Sequence, residues 1–158
     1  MCSLSNEITH PTVDVDTVRS KIKDDSLRLI DVRREEDYNK GHIPNAVNLP
    51  LASLLSDDSP ESVVKLAEDM GIADNTQVVV YDDTFGALAS RVAWTLQYIG
   101  HSNVALLEVT YSQWKELGLK TSTEKPNIKP AKHSLNLKPN IMATAEYLEK
   151  AKEKENVV

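Results

Sequence analysis

The 158-residue chain has one cysteine, Cys2, and it sits next to the initiator methionine. A single thiol builds neither a disulfide framework nor a zinc-type cysteine cluster. In a polar terminus without a helix dipole or a base to lower its pKa, it is expected to be a bystander rather than a nucleophile. Basic residues are also in deficit: 18 Lys and Arg against 24 Asp and Glu give a net charge of -6. That balance argues against a nucleic-acid surface, which needs a clustered basic face. No apolar run approaches the length of a membrane span, and the N-terminus lacks the hydrophobic core of a signal peptide. The expected setting is the cytoplasm, with neither membrane nor nucleic acid as partner.

What is present is enough for one domain with a proper core, at 41% hydrophobic residues. The most informative stretch runs from Gln77 to His101, QVVVYDDTFGALASRVAWTLQYIGH. Val78 to Tyr81 read as a strand, a polar turn with Gly86 follows, and Leu88, Val92, Leu96 and Ile99 repeat at helical spacing before Gly100. A strand, a tight turn and a helix N-terminus form a cup of N–H groups suited to an anion. Its first residues are nevertheless Asp82 and Asp83.

The rest of the chain alternates in the same manner. Residues 1–12 read as a disordered lead-in. Asp14 is placed to cap a helix with Val15, Val18 and Ile22 on one side. Leu27 to Val32 read as a buried strand, Arg33 to Lys40 as one or two helical turns with Tyr38 inward, and Gly41 to Asn48 as a turn leading into an extended piece. Ser59-Pro60-Glu61 opens a helix that buries Val63, Val64, Leu66, Ala67 and Met70 and ends at Gly71. Val104 to Leu107 form another strand and Tyr111 to Leu117 a last helix, stopped by Gly118. This order implies an α/β fold with a central, mostly parallel sheet flanked by helices. Sites in such sheets lie beyond the carboxyl ends of the strands, so Asp31 to Arg33 and Asp82 to Gly86 are expected to face one crevice. Lys120 to Lys138, with Pro126 and Pro130 and no periodicity, read as an extended linker; Thr144 then caps a helix over Ala145 to Lys154.

Two blocks resemble a known family. The run LIDVRREEDYNKGHIPNAVNLP is similar to the front signature of the rhodanese sulfurtransferase domain, and Gln77 to His101, with Arg91 and Gly100-His101, to its active-site strand and helix. A following strand and a helix holding Trp114 extend the likeness over about Val13 to Lys125. The resemblance implies a rhodanese-like domain at 13–125, a linker at 126–140 and the start of a truncated second rhodanese domain at 141–158. In an active rhodanese the first loop residue is a cysteine that carries a persulfide; here it is Asp82, which accepts no sulfane sulfur. Where the family often has a Gly-Gly pair after the last strand, this sequence has Glu108-Val109-Thr110. The resemblance therefore implies the non-catalytic N-terminal domain of a tandem sulfurtransferase that moves sulfur from thiosulfate or 3-mercaptopyruvate to cyanide or a thiol. Its expected partners are a second rhodanese domain of the same polypeptide and a small sulfur-containing anion, with no cofactor.

The candidate residues each carry two readings. Asp31 either orients His42 in a cleft or accepts hydrogen bonds from loop amides and Arg33. His42 is either a general base or a turn-capping histidine. Arg33 either meets an anionic substrate or pairs with Glu36 or Asp37. Arg91 either binds substrate or neutralises Asp82. Asp82 and Asp83, with Asp31 as a third acid, also have the makings of a Mg²⁺ or phosphoryl-acceptor site, though no lysine sits in a short loop after a later strand. A stand-alone inactive module used for protein binding is the alternative to the tandem reading. Trp94, Tyr98 and Trp114 are assigned to packing.

Overall fold

A computed structural model describes residues 11–24 and 26–138. Five strands, β1 (Thr12–Val13), β2 (Leu27–Asp31), β3 (Val47–Asn48), β4 (Gln77–Tyr81) and β5 (Val104–Leu107), form one parallel sheet in the order β1-β5-β4-β2-β3. Between and after them lie α1 (Val15–Lys21), α2 (Glu35–Lys40), α3 (Leu51–Ser56), α4 (Pro60–Asp69), α5 (Ala87–Tyr98) and α6 (Tyr111–Glu116). The helix expected over 145–154 lies outside the described residues.

Alternation along the strands builds two cores. Ile30, Val32, Val78, Val80 and Val104 point to one face, where they meet Leu54, Val63, Ala67, Val92 and Leu96 from α3, α4 and α5. Leu27, Leu29, Val79, Tyr81 and Leu107 point to the other, against Val18, Tyr38, Tyr111 and Trp114 from α1, α2 and α6. β4 is buried from Val78 to Tyr81, as expected of a central strand covered on both faces.

Helix ends follow local chemistry. Asp14 caps α1 through its side chain, accepting from the Thr17 amide at 2.8 Å. Thr110 and Gln113 close a reciprocal capping box on α6. Pro60 occupies the first turn of α4, as its sequence position implies.

Three features depart from the sequence reading. Thr12, assigned to the lead-in, is the first residue of β1 and pairs with Leu106. α3 has no counterpart in that reading; it follows Pro50 without a side-chain cap, so no start signal marks it. The supposed linker has no regular secondary structure over 123–138, yet it is tied to the domain. Ser122 exchanges backbone hydrogen bonds with His42 at 2.8 Å each way, Ala131 donates to the Glu68 carbonyl, and Asn136 and Lys138 donate to the Ile99 and Tyr98 carbonyls, each at 2.9 Å. It is a strap across the domain.

Candidate functional site

The cup expected after β4 is present and already holds an anion, its own. By strand alternation Asp82 falls on the face of Val78 and Val80, where α5 begins. Its Oδ1 accepts from the amides of Thr84 at 3.0 Å and Gly86 at 2.9 Å. Its Oδ2 accepts from the Thr84 hydroxyl at 2.9 Å, the Leu88 amide at 3.0 Å and the Ala89 amide at 2.9 Å. Four backbone N–H groups and one hydroxyl thus converge on a carboxylate that is 3% exposed. Burial pushes the Asp82 pKa up, but the Ala89, Gly86 and Thr84 donors outweigh it and hold the group below the ordinary carboxylate value. The loop reaches this shape through two left-handed residues, Phe85 at φ 57° and Gly86 at φ 95°. Phe85 stands out to solvent, 83% exposed, at the tip of the loop.

Arg91 does not answer Asp82. It turns away along α5: it contacts the Thr95 hydroxyl, reaches Asp58 at 3.4 Å and lies over the Trp94 ring at 4.9 Å. It therefore does not neutralise Asp82, one of the two roles considered for it.

Asp31 belongs to the opposite face. It pairs in register with Tyr81, and both side chains point toward α2 and α6. The Tyr81 hydroxyl donates to Asp31 Oδ2 at 2.7 Å, and Arg33 donates through its backbone N–H at 2.9 Å, Nε at 3.0 Å and Nη2 at 2.7 Å. The Arg33 Nη2 also donates to the Gly41 carbonyl at 2.7 Å, and its guanidinium lies 3.9 Å over the Tyr111 ring. Burial lowers the Arg33 pKa, but the hydrogen bond and charge of Asp31 raise it further, so the net shift is upward. Burial and the Asp31 charge push the Tyr81 hydroxyl well above its ordinary range. Arg33 therefore pairs with Asp31, not with Glu36 or Asp37.

Asp31 and Asp82 end neighbouring strands, but period-two alternation sends them to opposite faces of the sheet, so they do not share one crevice. Asp83 turns elsewhere again, accepting from the amide and hydroxyl of Ser112 at 2.9 and 2.8 Å. The three carboxylates considered for a cation thus face three separate sets of donors.

His42 is fully buried and stacks on Tyr38, with ring centroids 3.8 Å apart. Its Nδ1 lies 3.0 Å from the Tyr38 carbonyl and its Nε2 2.7 Å from the Glu124 carbonyl. Both nitrogens are engaged by backbone oxygens, and Asp31 is not among its partners. Sequence reasoning missed that partner on the strap, because a contact 82 residues away leaves no local pattern.

Comparison with known proteins gives a consistent result. The model of the rhodanese-like domain family matches residues 14–117. The chain is 32% identical over 137 residues to the sulfur carrier protein TtuD of Thermus thermophilus, covering 80% of this chain and 47% of that protein. It is 31% identical over 126 residues to 3-mercaptopyruvate sulfurtransferase of Mus musculus, covering 73% of this chain and 42% of the relative. It thus spans less than half the length of these two relatives. Among solved structures, SseA of Escherichia coli, a 3-mercaptopyruvate sulfotransferase, superposes with a TM-score of 0.71 at 22% identity, over 83% of this chain and 57% of that one. A human single-domain sulfurtransferase superposes with a TM-score of 0.54 at 25% identity, over 67% of this chain and 96% of that one. On its family match, its relatives and its five-stranded parallel sheet, the chain belongs to the rhodanese-like domain family.

Proposed function

We propose that this chain is the non-catalytic N-terminal rhodanese domain of a cytoplasmic sulfurtransferase, which moves sulfane sulfur from thiosulfate or 3-mercaptopyruvate to cyanide or a thiol. The observation that carries this reading is the Asp82 carboxylate seated in the anion cup. Sulfur transfer through a persulfide needs a thiolate that attacks the donor's terminal sulfur, breaking the S–S bond of thiosulfate to release sulfite or the C–S bond of 3-mercaptopyruvate to release pyruvate. A carboxylate held by five donors forms no such bond, and it already engages the N–H groups that would otherwise meet a substrate anion. The cysteine is accordingly placed in a second rhodanese domain of the same polypeptide. The relatives' greater lengths support that placement. In this account Asp31, Arg33 and His42 keep the loops in shape, and Arg91 stiffens α5.

A second reading is a stand-alone inactive module that recognises a protein. It is favoured by Phe85, a large apolar side chain held in solvent at the tip of the cup loop.

One comparison separates the two. Sulfurtransferase activity is assayed with both donors for the chain ending at Val158 and for a version extended through the downstream reading frame. Activity in the extended chain alone supports the tandem reading. Inactivity of both favours the module, and activity of the short chain contradicts both.

A further inference from the structure

Two buried histidines meet where the strap crosses the core. His101 follows α5; His133 lies on the strap. His101 Nδ1 and His133 Nε2 are 2.9 Å apart. The outer nitrogens each face a carbonyl, His101 Nε2 that of Thr76 at 2.8 Å and His133 Nδ1 that of Ser134 at 2.6 Å. The row therefore has three gaps, and each needs one hydrogen. Two neutral imidazoles carry two N–H groups between them; a row with all three gaps filled holds one more proton and a positive charge.

The surroundings place that charge. His101 is 1% exposed, and burial holds its pKa below the ordinary histidine value, against the opposing pull of the Thr76 carbonyl. The Asn103 carbonyl and the Asp74 charge also favour its protonated form, while His133 opposes it. His101 thus donates from Nε2 and accepts at Nδ1, and the third proton stays at the outer end of the row. There Asp74 Oδ1 lies 3.6 Å from His133 Nδ1. From α4, Glu68 Oε2 accepts the His133 amide at 3.0 Å. Asp74 also receives the amide and hydroxyl of Ser134, both at 2.9 Å. Two carboxylates, from α4 and from the loop before β4, thus face this part of the strap.

We propose that the His101–His133 pair is a proton-dependent clasp, closed when the row carries its third proton and loosened when that proton leaves. On its loss a lone pair on His133 Nδ1 is set against the Ser134 carbonyl at 2.6 Å, and the contact turns repulsive. Only the row with its third proton fills all three gaps of the closed strap. The strap's attachment is therefore full on the acidic side of the pair's titration and weakens as pH rises. The segment under this control is 131–138, whose last anchor is the Lys138 amide on the Tyr98 carbonyl. The clasp consequently governs how firmly the strap, as far as Lys138, is held to the end of α5.

The test is amide hydrogen exchange on the full chain at about pH 5.5 and about pH 8, which bracket ordinary histidine titration. Rates are corrected for intrinsic pH dependence. Protection of the Ala131, His133, Asn136 and Lys138 amides is expected to fall about tenfold at the higher pH relative to Val79 in β4. His133→Gln, which cannot titrate, is expected to remove the difference, and Asp74→Asn to move the loosening to lower pH. Ring ¹⁵N shifts of the native chain should show both His133 nitrogens protonated at the lower pH. Strap protection that tracks Val79 at both pH values overturns the clasp, as does a His133→Gln chain with an unchanged pH response. If His133→Gln fails to fold, the ¹⁵N shifts decide: His133 with one bare nitrogen at about pH 5.5 contradicts the proposal.

Discussion

The Tyr81 hydroxyl donates to Asp31 Oδ2 at 2.7 Å across two paired strand ends, β2 and β4. The same hydroxyl accepts the Ile43 amide at 3.1 Å. One phenol thus joins the sheet to the loop that carries His42. Tyr81→Phe removes both bonds and leaves a buried amide without its acceptor. The expected loss is about 1–3 kcal/mol in chemical unfolding, with the m-value unchanged. A Tyr81→Phe chain as stable as the native would show that this junction contributes nothing.

Asp82 gives a prediction of the same kind on the other face. Asp82→Asn keeps the shape but replaces one oxygen with an NH₂ that meets N–H donors head-on. It should cost about 2–3 kcal/mol in urea unfolding near neutral pH. The pH dependence has a definite sign. The folded Asp82 pKa lies below the ordinary 3.8, so its stabilisation is complete above that value and disappears as pH falls through the folded one. The gap between native and Asp82→Asn stabilities should therefore narrow on acidification, and a gap that widened would contradict the cup geometry.

The strap offers a steric test. Gly100 has φ 106°, and a Cβ there would sit 2.6 Å from the Asn136 carbonyl oxygen. Gly100→Ala is expected to cost about 1 kcal/mol or more and to raise exchange at the Asn136 and Lys138 amides, while Val79 stays protected. Unchanged exchange at these two amides would mean that the strap does not lie against the end of α5.

The parts of the fold visible in the sequence are those written in local periodicity. β2, β4 and β5 stand out as short β-branched or leucine runs, and α4 and α5 as helical repeats with Pro60 and Gly100 at their ends. α3 escaped because LASLLS carries neither a capping side chain nor a stop, and β1 because two residues acquire meaning only by pairing with β5. The strap read as a linker since its anchors are backbone amides and two histidines whose partners lie 32 and 82 residues away. At the site, the mismatch of a carboxylate in an anion cup was legible from Asp82 alone. Its resolution was not, because it depends on strand parity: Asp82 faces the start of α5, and Asp31 turns to the other side of the sheet. That Arg91 does not neutralise Asp82 has a related reason. One turn into α5 it shares a side with Trp94 and Thr95, and so faces Asp58 rather than the cup.

The central claim is that the residue at position 82 decides whether this cup does sulfur chemistry. The most direct measurement is the intact mass of the native chain and of Asp82→Cys after incubation with thiosulfate, both in a Cys2→Ser background and beside the unaltered chain. The expected result is that the two chains bearing Asp82 keep their mass. Asp82→Cys should gain one sulfur atom as a persulfide while sulfite is released, since the cup's N–H donors that now hold a carboxylate would hold a thiolate. Sulfur uptake by a chain that retains Asp82, or a folded Asp82→Cys chain that takes up none, would contradict the claim.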